Sequence, residues 1–450
     1  MPQLRKMYIP LLSTVFPEPR NGPFATGYEV LRLRTGEPYA APTPRRKDGS
    51  PVMRLSETVV AVYYPTKPTW WRFRGNGVRW LPEPTEGMFT GYRIFLGWFV
   101  PVSALLWLVC KILVRPKMPV HPAAAVAPHN KPFPLVVFSH GLSGTRNTYS
   151  QMCQRLVSEG YVVLAVEHAD GSGPCVIRDG KSWTFTKLDE TVWPEKDDGS
   201  PPYDRIDLRA CQLDFRVREV YEAYAAFCRL MAGSQADMEI IEGSPEVVGA
   251  LRGRVDIDNV KLMGHSFGGG TLMRLLTTVP PHPYTAMPLE KAIVLDPWYE
   301  PGAIAPTLPP PSTPVPPTMI INSQQWTERE DFPMACEEAK GISASLCTIM
   351  GMRHNACSDF GLLTLPGRAT SFLDQIHGLI TGHLTNSPHA SLLARPDGGD
   401  VQFTRGKMPR GSFGEIRVHF SGKTESPVEG EAGETGEAHD ESTPLVHAAA

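Results

Sequence analysis

The chain has 450 residues, a formal net charge of −3 and 42% hydrophobic residues. That is ample for one large buried core, and the length would allow two domains. The near-neutral balance, with no dense Lys/Arg stripe, speaks against nucleic-acid binding. Prolines gather in loops at 281–288 and 306–317. The eight cysteines (Cys110, Cys153, Cys175, Cys211, Cys228, Cys336, Cys347 and Cys357) are irregularly spaced with no C-x-x-C pair, so they read as buried free thiols of a reducing compartment rather than disulfides. The first ten residues carry basic groups but no apolar core segment. No secretory signal is therefore expected, and the expected location is cytoplasmic with peripheral attachment to a membrane.

Residues 59–64 are strand-like. From Ile94 to Cys110 there is no charge, and apolar character resumes after Lys111 through Val114. The stretch is long enough to span a bilayer, but Pro101 interrupts it and strands of one sheet flank it. Residues 94–114 are therefore expected to form an apolar helix lying in the membrane interface, with Trp98 and Trp107 near the headgroups and Lys111, Arg115 and Lys117 against phosphates. A single-pass span and an ordinary core helix stay open as alternatives. Leu135-Val136-Val137-Phe138-Ser139 is a continuous apolar run, the mark of a strand covered on both faces. A helix is predicted over 149–159, stopped by Gly160, then a strand over 161–166. Asp179-Gly180 marks a hairpin turn. Leu213, Val217, Val220, Tyr224, Phe227 and Met231 share one face of a long helix that ends at Gly233.

Gly264-His265-Ser266-Phe267-Gly268 follows a short buried strand and precedes a helix-forming run. Strand, cramped turn and helix make a nucleophile elbow, in which a Cβ at either flanking glycine would clash. The helix N-terminus behind Ser266 favours negative charge. A serine hydroxyl needs a base beside it, and in this architecture acid and base follow in chain order at strand ends. Asp296 directly follows the strand 292–295 and is the predicted acid, with Asp331 and Asp359 in reserve. His354 follows the strand 346–349 by a short turn and is the predicted base, ahead of His377, His383 and His389. The oxyanion hole is expected from the backbone amides of Phe267, which follows the nucleophile, and Leu142 in Ser139-His140-Gly141-Leu142. No H-E-x-x-H, P-loop, EF-hand or dinucleotide fingerprint occurs, so no metal or cofactor is implied. The alternating strands and helices predict an α/β fold of the α/β-hydrolase type, a mostly parallel sheet with helices on both faces. The catalytic domain is expected over 1–395. Residues 396–420 are unassigned, and the acidic tail at 421–450 is expected to be disordered.

At these residues the chain resembles the platelet-activating factor acetylhydrolase family of the plasma and intracellular type II kind. The likeness is carried by Val137-Phe138-Ser139-His140-Gly141-Leu142, Ala165-Val166-Glu167-His168-Ala169-Asp170, the elbow through Gly269, Leu295-Asp296-Pro297-Trp298, and Ile321-Asn322-Ser323 with His354 and Asp359-Phe360. Gly22-Pro23-Phe24 and Tyr63-Tyr64-Pro65 fit as well, giving a coverage of roughly 20–380. The resemblance implies a lipid-associated serine esterase that removes short or oxidised acyl chains from the sn-2 position of glycerophospholipids and docks through an apolar helix; with no metal motif in the sequence, hydrolysis is expected to proceed without calcium. Pro297 after the acid and Arg353 before the histidine depart from the family pattern and bear on the acyl pocket. The rival expectations are a general carboxylesterase or polyesterase, and a non-catalytic membrane-docking protein on the same scaffold.

Overall fold

The structure is a computed structural model that describes residues 15–19, 21–68, 77–97, 116–196, 199–234, 238–364, 366–387 and 411–420. Its backbone is an eleven-stranded sheet. The principal strands are β1 (Ala25–Ala40), β2 (Arg54–Thr66), β3 (Phe133–Ser139), β4 (Val162–Glu167), β5 (Met238–Glu242), β6 (Val255–His265), β7 (Leu289–Leu295), β8 (Thr318–Ser323), β9 (Ser345–Ile349) and β10 (Ile416–Phe420). They lie in the order β5-β1-β2-β4-β3-β6-β7-β8-β9-β10, and the short strand His121–Pro122 also pairs with β1. The run from β4 to β9 is parallel, while β5, β1, β2 and β10 join antiparallel. This is the expected α/β-hydrolase architecture.

Both faces of the sheet are covered, which is why the central strands read as unbroken apolar runs. On one face Leu135 and Val137 of β3 join Val217, Val220 and Phe227 of the helix Arg205–Met231. On the other, Val136 and Phe138 join Met152 and Leu156 of the helix Ser150–Ser158, and Phe372, Ile376 and Ile380 of the helix Pro366–Thr385. In chain order the helices used below are α1 (Thr85–Leu96), α2 (Ser150–Ser158), α3 (Arg205–Met231), α4 (Phe267–Thr277) and α5 (Pro366–Thr385). Asp204 caps α3 by accepting from the amides of Ile206 and Asp207, and Asp207 answers the Asp204 amide as a capping box. The predicted hairpin is present, with Asp179 and Gly180 both at positive φ between the strands 175–178 and 181–184. The seven described cysteines are free thiols, and Cys110 lies outside the described residues.

Three points of the sequence reading meet the structure here. The start of the predicted 94–114 helix is instead the last turn of α1, which Gly97 closes in a left-handed cap. Residues 98–115, including Trp98, Trp107 and Lys111, lie outside the described residues, and Lys117 sits in a short strand paired to Val78–Arg79. Val62 of β2 pairs with Leu164 of β4, so the chain before and after that segment shares one sheet. Among the described residues no helix is long and apolar enough to cross a membrane. Finally, β10 falls in the region left unassigned and adds to the sheet beside β9, so the sheet continues past residue 395. The acidic stretch 421–450 lies outside the described residues.

Candidate active site

The C-terminal ends of the parallel strands converge on one place. Ser266 follows β6 with φ 58° and ψ −118°, a left-handed strain that lifts its hydroxyl out of the sheet. The bend is held by hydrogen bonds from Ser266 N to Leu295 O at 2.9 Å and from Trp298 N to Ser266 O at 3.0 Å. The elbow glycines are required by contact. A Cβ on Gly264 would lie 2.6 Å from Gly268 O, and one on Gly268 would lie 2.1 Å from Ser139 O. Both obstacles are backbone and cannot swing aside.

Asp296 follows β7 and is fully buried, and His354 follows β9 in a short 3₁₀ turn. His354 Nδ1 lies 2.9 Å from Asp296 Oδ2, and His354 Nε2 lies 2.9 Å from Ser266 Oγ. The structure thus brings the three predicted residues into one hydrogen-bonded line. Asp296 also accepts from Ser323, through its amide at 2.5 Å and its hydroxyl at 2.6 Å. The indole of Trp326 stacks on the His354 ring at 3.9 Å and 10°, and its N–H is tied to Pro297 O at 2.8 Å. Gln325 Oε1 accepts the His354 amide at 3.1 Å. The imidazole is therefore gripped at its edge, its face and its backbone.

The other candidates are occupied elsewhere. Asp331 forms an ion pair with Arg329. Asp359 accepts from the amides of Ser150 and Gln151 at the start of α2 and from Trp80 Nε1. Burial pushes its pKa up to about 7. His377 binds Glu159 and His383 faces Pro317 O, while His389 lies outside the described residues.

Phe267 opens α4, where an amide has no carbonyl of its own helix to bind. Leu142 sits half-buried in the loop after β3. The Gly141 amide is not available, because it donates to Tyr149 Oη at 3.1 Å, and that hydroxyl in turn contacts His265 Nδ1 at 2.8 Å. Burial holds His265 well below the usual imidazole range, with His354 adding to the effect. Behind the loop lies a buried polar cluster. His168 joins Ser139 Oγ at 2.8 Å to Glu219 at 2.7 Å, and Arg216 pairs with Asp170 at 3.0 Å. Burial lowers the pKa values of His140 and His168 and raises that of Glu219.

Among the described residues the one group able to gather round a metal is His265, Asp296 and His354, whose ligand atoms lie within 4.8 Å of one another. Both nitrogens of His354 and Nδ1 of His265 are already held by the bonds above, so the donor set suits proton transfer better than metal ligation. Ser323, Trp326 and Arg216 were not singled out from the sequence as parts of the site. The legible signal for Arg216 is a charge on the apolar stripe of α3, three residues after Leu213 and four before Val220.

Comparison with known proteins places the chain in a family. The family model described as platelet-activating factor acetylhydrolase, isoform II, matches residues 22–375. The chain is 27% identical over 263 residues to a platelet-activating factor acetylhydrolase of Canis lupus familiaris, covering 56% of this chain and 53% of that protein. It is 32% identical over 152 residues to a putative phospholipase A2 of Schizosaccharomyces pombe, covering 34% of this chain and 32% of that protein. The chain thus spans about half the length of the first of these relatives, or less. A solved ferulic acid esterase from Streptomyces cinnamoneus aligns with a TM-score of 0.49 at 18% identity, covering 84% of this chain and 96% of that one.

Proposed function

The chain belongs to the platelet-activating factor acetylhydrolase isoform II family, and from that premise we propose that it is a serine-dependent, calcium-independent carboxylic ester hydrolase. Its proposed substrates are glycerophospholipids carrying a short or oxidised sn-2 acyl chain. The observation that carries the reading is the line Asp296–His354–Ser266, two hydrogen bonds of 2.9 Å ending on a serine at a strained elbow. Ser266 Oγ attacks the ester carbonyl carbon while His354 Nε2 takes its proton. Asp296 holds the ring so that Nε2 faces the serine. The amides of Leu142 and Phe267 receive the negative oxygen. His354 then returns the proton to the departing lysolipid oxygen, and water, activated by the same histidine, releases the acid from Ser266. Family membership supports the lipid class. The exposed side chains of Phe95 and Leu96, at the edge of the uncharged stretch, support docking on a phospholipid surface.

The test is hydrolysis of phosphatidylcholine with an sn-2 acetyl group beside one with an sn-2 palmitoyl group, in the presence of a calcium chelator. The expected result is rapid cleavage of the acetyl lipid alone, abolished in Ser266→Ala with the fold intact. Turnover of simple aryl esters with neither lipid cleaved would place the chain among general esterases. Residual esterase activity in Ser266→Ala, or no labelling by a fluorophosphonate, would sink the serine assignment.

A further inference from the structure

The two arms of the proposed oxyanion hole meet on one buried cation. Arg216 is completely shielded from solvent, on the face of α3 turned toward the strand ends. Its Nη1 donates to His140 O at 2.5 Å, its Nη2 to Ser172 Oγ at 2.7 Å, and its Nε to Asp170 Oδ2 at 3.0 Å. Ser172 O in turn accepts the Ser143 amide at 2.8 Å. Leu142 is therefore bracketed. The carbonyl two residues before it is held by Arg216 directly, and the amide after it is held through Ser172. The bracket matters because Ser143 has φ 58°, a conformation a free loop would relax. The other arm is reached as well, since the guanidinium lies over the Phe267 ring at 4.5 Å. A fully buried ion pair is a costly way to fill space, and a methionine of similar length would fill it without desolvating a charge. What the guanidinium adds is a fixed fork of donors aimed at particular oxygens.

We propose that Arg216 is the positioning residue of the oxyanion hole, fixing the Leu142 amide and the Phe267 amide relative to one another. The inference rests on the hole as assigned above. Arg216 touches no substrate; it acts through the two arms.

The experiment measures kcat and KM on an aryl acetate, and inhibition by an alkyl trifluoromethyl ketone, for Arg216→Lys, Arg216→Met and Ser172→Ala. The ketone reports on the hole because Ser266 Oγ adds to its carbonyl carbon, the serine proton passes to His354, and the former carbonyl oxygen becomes the oxyanion. Removing one donor of such a hole costs about 10²–10³ in kcat, so displacing it should cost roughly 10- to 100-fold in the Arg216 variants, with KM within about threefold. Ser172→Ala keeps the Arg216–Asp170 ion pair and should lose about 3- to 10-fold. In each variant the ketone should weaken by the same factor as kcat/KM, with the pH midpoint of kcat/KM unmoved. Folded variants with wild-type kcat, or a kcat loss without loss of ketone affinity, would overturn the proposal. If neither Arg216 variant folds, Ser172→Ala decides by the same criteria. Ser266→Ala runs alongside. An active Ser266→Ala would mean that the site reading has failed, whereas an inactive one beside unaffected Arg216 variants would mean that this inference alone has failed.

Discussion

The Asp296 carboxylate takes three hydrogen bonds, and two of them meet on Oδ2, one from Ser323 Oγ and one from His354 Nδ1. That geometry separates two substitutions. Asp296→Asn can place an amide N–H where His354 must donate, which forces the wrong tautomer and should lower kcat by about 10⁴-fold. Ser323→Ala removes one hydroxyl and leaves its amide bond to Oδ1, a loss of roughly 1 kcal/mol or about five- to tenfold. Steady-state kinetics on an aryl ester measures both, and equal losses would contradict this division of labour. Asp296 and His354 were legible because each follows an apolar strand that must lie in a parallel sheet. Ser323 was not, because a serine after a strand reads as a helix cap, and it is one, accepting the Trp326 amide at 3.1 Å. Trp326 reaches His354 only through the fold of a four-residue helix, Gln324–Thr327, too short to show a period.

Strands β1 and β5 form the antiparallel edge of the sheet, and neither was visible in the sequence. The first half of β1 is buried on both faces and yet contains Glu29, so neither an alternating nor a continuous apolar pattern appears. Glu29 is what fastens the edge. Its carboxyl accepts the amides of Ser244 at 2.7 Å and Ala123 at 3.2 Å. It also lies 3.3 Å from Tyr64 Oη, a hydroxyl that already donates to Ala124 O at 2.7 Å. Burial pushes its pKa up to about 7 from an ordinary value of 4.5. Between those values the folded chain keeps a proton that the unfolded chain has released. The associated stability is complete below the unfolded pKa and is lost as pH rises through about 7. Glu29→Gln cannot ionise. The Tm of the unmodified protein should therefore fall relative to that of Glu29→Gln as buffers are stepped from pH 5 to pH 8. Parallel curves would show that Glu29 does not titrate in this range.

At the scale of the whole molecule, the proposed docking on a lipid surface falls to one apolar tip. Phe95 and Leu96 project from the end of α1 with 39% and 46% of their surfaces exposed. α1 itself is pressed onto the hairpin, so closely that a Cβ on Gly91 would lie 1.7 Å from Pro174 O. The apolar tip is thus carried on a rigid base. Replacing Phe95 and Leu96 together by serine should reduce sedimentation with phosphatidylcholine vesicles several-fold and leave hydrolysis of a soluble aryl ester unchanged. Unaltered sedimentation would remove this tip from the docking surface. The sequence marked the stretch as membrane-facing by its lack of charge. It did not mark the break at Gly97, because a glycine amid apolar residues is compatible with a continuing helix. The triad also has a consequence in time. Ser266 lies 88 residues before His354, and Asp296 lies 58 before it. Beside the turn that presents His354, β10 closes the sheet, with Met350 N bound to Glu415 O at 2.8 Å. During synthesis the serine emerges long before its base. On the mechanism proposed above, a growing chain carries an inert hydroxyl until the turn bearing His354 and the strand β10 beside it have been made.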